Sequence, residues 1–178
     1  MTRLHTPAID QATGEAAELF TTVKRNIGKV PNLYATIGSN APDALAHVLS
    51  TGATLGRSTL SRLEQEAINL AVSEATGCDY CLAAHTMTAK MAGYSAEQTR
   101  ELRAGGFAGD ARIDALVKFA LNLVKQRGTL DASAVEALKD AGFTDRQLIE
   151  IPLAVSAILF TNMVNRINDT TLDFPKVA

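Results

Sequence analysis

The sequence predicts an all-α fold, a single-domain helical bundle spanning residues 1–178. Alanine and leucine dominate a hydrophobic content of 47%, which favours helix over strand. Apolar residues recur at helical spacing between glycines, and Ser/Thr capping boxes stand at several of the expected starts. No run alternates apolar and polar residues in the manner of a strand. These signals are independent and agree along most of the chain. Its length is enough for one sizeable core.

The segment from Asp10 to Asn26 is amphipathic through Ala16, Leu19, Phe20 and Val23, and Gly28 ends it. Pro42 suits the first position of a helix reaching about Leu55. Ser61-Arg-Leu-Glu64 is a capping box that starts a helix near Arg62. Its apolar stripe is Leu63, Ala67, Leu70, Ala71 and Ala75, and Gly77 stops it. Another helix runs from about Cys78 to Ala92, closed by Gly93. Ser95-x-x-Gln98 opens a short helix ending before Gly105-Gly106. Asp110 to Gln126 carries Ile113, Leu116, Val117, Ala120, Leu121 and Val124 on one face. Two further capping boxes follow, Ser133-x-x-Glu136 before Gly142, and Thr144-x-x-Gln147 before a long final helix.

That last helix is apolar nearly all round from Ile149 to Ile167, so the core or another subunit is expected to bury it. Asn162, Asn165 and Asn168 recur every three residues along it. They suit interhelical hydrogen bonds or the polar lining of a pocket near the cysteines. The tail Thr171-Leu-Asp-Phe-Pro175 is expected to be extended and to pack on a neighbour.

Charge is nearly balanced, with Lys+Arg 17 against Asp+Glu 19, and no basic patch with interleaved aromatics supports nucleic-acid binding. No apolar signal core is found near Met1, and no long uncharged apolar stretch suggests a membrane span. A cytoplasmic protein is the expectation, and there a CxxC pair is more often catalytic than a structural staple.

The chemistry concentrates in residues 61–93, which hold both cysteines, Cys78 and Cys81, in CxxC spacing. Both sulfurs fall in the first turn of a helix, where free N–H groups and the dipole favour thiolate. At ~3.6 residues per turn, Cys81 and His85 share a face, so an imidazolium there would make Cys81 the more acidic thiol. Glu66 falls in the apolar stripe of the preceding helix, where a carboxylate is costly unless paired and a raised pKa would suit proton transfer. Redox chemistry at sulfur is the leading reading. Plainer ones stand beside it: a zinc site from Cys78, Cys81, His85 and a carboxylate, two inert buried cysteines, and Glu66 as a rim charge paired with Arg62. Glu74 is the rival carboxylate. His5 and His47 have no polar constellation around them. No cofactor or metal is expected.

Glu66-x11-Cys78-x2-Cys81-x3-His85, on a helix of the type Glu-x3-Leu-Ala-Val, resembles the alkylhydroperoxidase D family of the carboxymuconolactone decarboxylase superfamily, over roughly Pro42 to Gly93. Val30-Pro-Asn-Leu-Tyr34 and Asn40-Ala-Pro42 are similar to its peroxidase-related branch. The resemblance implies an all-helical fold that assembles into a homo-oligomer (dimer, trimer or hexamer) and reduces a peroxide. It implies Cys81 as the attacking thiol, Cys78 as the resolving one, and Glu66 and His85 as a proton relay. A dithiol such as a lipoyl protein or a thioredoxin-like protein would be the reductant. Tyr80 stands where the best-known peroxidases have a second histidine, and tyrosine is a poor base near neutral pH. The superfamily also contains lactone decarboxylases, which lack the CxxC pair. A redox sensor or scaffold without turnover, and a decarboxylase, are the alternative functions.

Overall fold

The computed structural model describes residues 2–177. Among these there are nine α-helices and no strand. They are α1 Gly14–Ile27, α2 Asn32–Asn40, α3 Pro42–Leu55, α4 Arg62–Ala75, α5 Asp79–Ala92, α6 Ala96–Arg103, α7 Ala111–Lys125, α8 Ala132–Asp140 and α9 Asp145–Asn168. A 3-10 turn, Ile9–Gln11, precedes them.

The capping boxes at Ser61/Glu64, Ser95/Gln98 and Thr144/Gln147 are all formed and start α4, α6 and α9. The box expected at Ser133 is not: α8 begins at Ala132, with Asp131 in the cap position. The helix expected from Asp10 is divided. Ala12 and Thr13 are extended, and α1 starts at Gly14, whose φ of 58° is open to glycine.

The helix α2 was not expected. Pro31 precedes it, and Leu33, Ala35, Thr36, Ile37 and Gly38 are buried along it. Gly38 lets α1 and α3 close on this helix. A Cβ there would lie 2.5 Å from Phe20 and 2.7 Å from Leu45, both buried.

The centre of the molecule is α4, which packs on α5, α6, α7 and α9. Ala67, Ile68, Leu70, Ala71 and Val72 are buried. Leu63 and Ala75, the ends of the expected stripe, are exposed, so the buried face is wider but shorter than its apolar pattern. Burial is one-sided in α9. Ile151, Ala154, Val155 and Ile158 enter the core, whereas Ile149, Phe160, Met163 and Ile167 are exposed. Contrary to the sequence expectation, α9 is long and apolar enough to cross a membrane by length and composition. Here it packs as a core helix against α3, α4, α5 and α7, with Asn162, Asn165 and Asn168 buried along it.

Candidate active site at the head of helix α5

Glycine sets where the cysteines stand. Gly77, at φ 66°, turns the chain between α4 and α5, and its carbonyl accepts from Arg166 of α9. The Cys78 amide donates to Ser73 O at 2.9 Å, which fixes Cys78 as the N-cap of α5. Its sulfur then accepts from the Cys81 amide at 3.3 Å, as a capping oxygen would. Both thiols are free and buried.

The two sulfurs behave as one unit sharing a proton. The Cys81 thiol donates to Cys78, which draws Cys78 below the ordinary thiol range against the opposing effect of burial. The Cys81 amide, Asn165 and the charge of Arg166 add to that lowering. Cys81 moves far up, first because it donates to Cys78, then through burial and the charge on Cys78, while Asn165 and Thr161 oppose. This reverses the expected order of acidity. The physical reason is the hydrogen bond between the two sulfurs, while the His85 Nδ1 is turned to Glu66 Oε2 at 2.9 Å.

Glu66 is fully buried between His85 and Arg62, whose Nη2 is 2.7 Å from Oε1. Burial alone would raise its pKa, but His85 and Arg62 outweigh burial and hold it below the usual range. The expected raised pKa is thereby corrected. Glu66 does pair with Arg62 as the plain reading had it, yet it is no rim charge. Glu74 is removed as the rival: it is paired with Arg103 at 2.6 Å and is largely exposed. The described residues bring together no group of three or more His, Cys, Asp or Glu placed to hold a metal ion.

A cavity of about 420 Å³ reaches this centre. Cys81, Glu66 and His85 line its polar end, whereas Cys78 is not among the lining residues. The rest is mainly apolar and aromatic, including Leu33, Tyr34, Val48, Ile158 and Phe174. A second, more open cleft of about 620 Å³ lies around Glu101, Phe107 and Asp114, with no thiol in its wall.

The sequence names Asn165 and Tyr80 without their partners, and it does not bring the tail to the site. Asn165 donates from Nδ2 to Cys81 Sγ at 3.2 Å; its place in the asparagine series was legible, its target was not. Tyr80, between the cysteines, donates its hydroxyl to Asp173 at 2.7 Å and accepts from the Leu33 amide at 3.2 Å. Burial and Asp173 push its pKa well up, so it serves as a fixed donor. The tail packs on its own bundle: Lys29 pairs with Asp173 at 2.9 Å and stands 4.2 Å over the Phe174 ring, which meets Tyr80 edge-on. His5 and His47 are exposed and away from the cavity lining.

The family model for the carboxymuconolactone decarboxylase family matches residues 42–112. A peroxidase-related protein from Ralstonia eutropha JMP134, described as an alkylhydroperoxidase AhpD core, is 22% identical with a TM-score of 0.86, covering 97% of this chain and 92% of that one. A peroxidase-related protein from Silicibacter sp. TM1040 is 26% identical with a TM-score of 0.81, over 96% and 91%. The debrominase Bmp8, in complex with 2,3,4-tribromopyrrole, is 19% identical with a TM-score of 0.78, over 97% and 92%. No curated protein matches the sequence to the same standard.

Proposed function

From the premise that the chain is an alkylhydroperoxidase D-like member of the carboxymuconolactone decarboxylase superfamily, we propose that it is a thiol-dependent peroxidase. The observation that carries this reading is a pair of free thiols in one helical turn whose Cys81 member opens on a cavity beside the Glu66–His85 pair. Shift of the shared proton to Cys78 leaves the thiolate on Cys81, the sulfur a substrate can reach. Cys81 Sγ attacks the distal oxygen of ROOH, the O–O bond breaks, and ROH leaves with a proton relayed through His85. The resulting Cys81 sulfenic acid is attacked by Cys78, water leaves, and the Cys78–Cys81 disulfide closes. A dithiol, a lipoyl protein or a thioredoxin-like partner, then takes the disulfide and returns two thiols. Peroxide consumption with dithiothreitol, dihydrolipoamide or thioredoxin as reductant tests the reading. Catalytic turnover and loss of both free thiols on oxidation are expected. Stoichiometric oxidation without turnover would favour a sensor, and retention of two free thiols after peroxide would end the proposal.

A second reading draws on the aromatic wall of Tyr34, Tyr80 and Phe174. The same two electrons could reduce an aryl bromide to the arene, releasing bromide and a proton as the disulfide forms. Bromide release from a bromopyrrole would separate this from peroxide reduction.

We also propose that the protein acts as a homo-oligomer. Ile149, Phe160, Met163 and Ile167 leave an apolar face of α9 bare, and symmetric pairing is the common way to cover one. Light scattering should give a multiple of the 18.9 kDa chain mass. A monomer at micromolar concentration would reject the assembly.

A further inference from the structure

The three asparagines of α9 share a spacing but not a situation. Asn162 is satisfied at both ends of its amide: it accepts from Ser73 Oγ at 3.4 Å and donates to Thr76 at 2.8 Å. Asn168 accepts from the Leu4 amide at 2.8 Å and donates to Thr36 and Thr170. Each ties α9 to another part of the bundle. Asn165 is different. It is 3% exposed, its Nδ2 donates to Cys81 Sγ, and its Oδ1 is buried without a donor.

A buried amide with one end unpaired is a costly choice for structure alone, because an apolar side chain would fill the space without an orphaned acceptor. The Cys81 sulfur it donates to is a weak acceptor while neutral, and the same amide also favours charge on the neighbouring Cys78. The same N–H becomes a strong partner once the Cys81 sulfur carries charge. We propose that Asn165 is a further catalytic residue of this centre, an amide donor that supports negative charge on the Cys81 sulfur from outside the substrate cavity. This rests on the thiol reading of the site, and it resolves a tension within it. The more acidic sulfur is Cys78, but Cys81 is the one that faces the cavity. Transfer of the Cys81 proton to the Cys78 thiolate needs no outside reactant and leaves the electron pair on Cys81. A donor already aimed at Cys81 lowers the cost of that transfer. Because Asn165 is not among the cavity-lining residues, it leaves the exposed side of the sulfur free to attack.

The test reads the thiols directly, so its outcome does not depend on the substrate. Thiolate absorbance and iodoacetamide alkylation are followed against pH in a Cys78→Ser background, where Cys81 titrates alone and the shared titration of the pair is removed. Asn165→Ala should raise the Cys81 titration by about one to two units, roughly a 10- to 100-fold loss of thiolate below it. Asn165→Asp, nearly isosteric, should raise it further because a carboxylate repels the thiolate, and it keeps the test open if the alanine variant does not fold. Asn162→Ala should lower the melting temperature and leave the thiol titration in place. An unchanged Cys81 titration in Asn165→Ala, or equal shifts for the Ala and Asp variants, would overturn the proposal. The expected shifts, with a wild-type protein that turns over no peroxide, would instead count against the peroxidase reading alone.

Discussion

Cys81→Ser is expected to reduce peroxide turnover to the background of a thiol-free protein, whereas Cys78→Ser should complete one turnover and stop. The asymmetry follows from position. Only Cys81 lines the cavity, and a serine hydroxyl there is far too weak an acid to attack a peroxide. Removing Cys78 leaves the attacking sulfur in place but takes away the group that accepts its proton and later resolves the sulfenic acid. The single turnover of Cys78→Ser should therefore also be slow at neutral pH. Dimedone labelling followed by mass analysis should find a sulfenic acid at Cys81 in that variant and none in Cys81→Ser. A label at Cys78 in Cys81→Ser, with turnover retained, would reverse the two roles.

Glu66→Gln and His85→Asn should each lower turnover by about 10²- to 10⁴-fold, the range of one acid–base participant, while Glu74→Gln leaves it unchanged. Glu66 and His85 also join α4 to α5, so the pair ties two helices together beside the proton transfer proposed for it. Glutamine keeps the volume and one acceptor, so its melting temperature should fall far less than its rate. The pH dependence has a definite sign. The folded-state pKa of Glu66 is depressed, so its stabilising contribution is full above the ordinary carboxylate pKa and is lost as pH falls through the folded value. Turnover should hold from neutrality into the mildly acidic range and fall once Glu66 is protonated. A rate that declined already between pH 7 and 6 in step with loss of the Glu66 charge would contradict that order. Activity retained in Glu66→Gln but abolished in Glu74→Gln would place the relay on the other carboxylate.

The legible parts of this fold are those whose signals are local. Ser61 with Glu64, Ser95 with Gln98 and Thr144 with Gln147 each satisfy orphan backbone groups within four residues, so the sequence spacing carries the physics. Ser133 with Glu136 has the same spacing, but Asp131 takes the cap two residues earlier. In α2, burial on almost every side erases the periodic contrast that marks a surface helix, and Gly38 counts against helix unless Phe20 and Leu45 are known to press on it. The same division holds in the site. Cys78, Cys81 and Glu66–His85 lie within twenty residues of one another and could be read together. Asn165, Asp173 and Phe174 are more than eighty residues from Cys81 in sequence, and only the folded chain brings them to it. The order of acidity of the sulfurs rests on which of them donates to the other, a detail that the CxxC spacing does not carry, and the His85 that helical spacing puts on the face of Cys81 turns its Nδ1 to a buried carboxylate on another helix.

The tail has a consequence for how the site opens. Residues 170–175 have no helix to hold them; Thr170 bonds back to α9, Asp173, Thr171 and Phe174 hold to Lys29, Asn32 and Tyr80, and Val177 packs on the bundle beyond them. Phe174 is nevertheless part of the cavity wall. Segments with few contacts detach by local unfolding at a fraction of the global cost. Fraying of six residues would thus widen the approach to Cys81 while every helix of the bundle stays folded. The breadth of the doorway and the melting temperature become separately adjustable properties. A change such as Lys29→Met can then alter which molecules reach the sulfur and leave thermal stability nearly where it was.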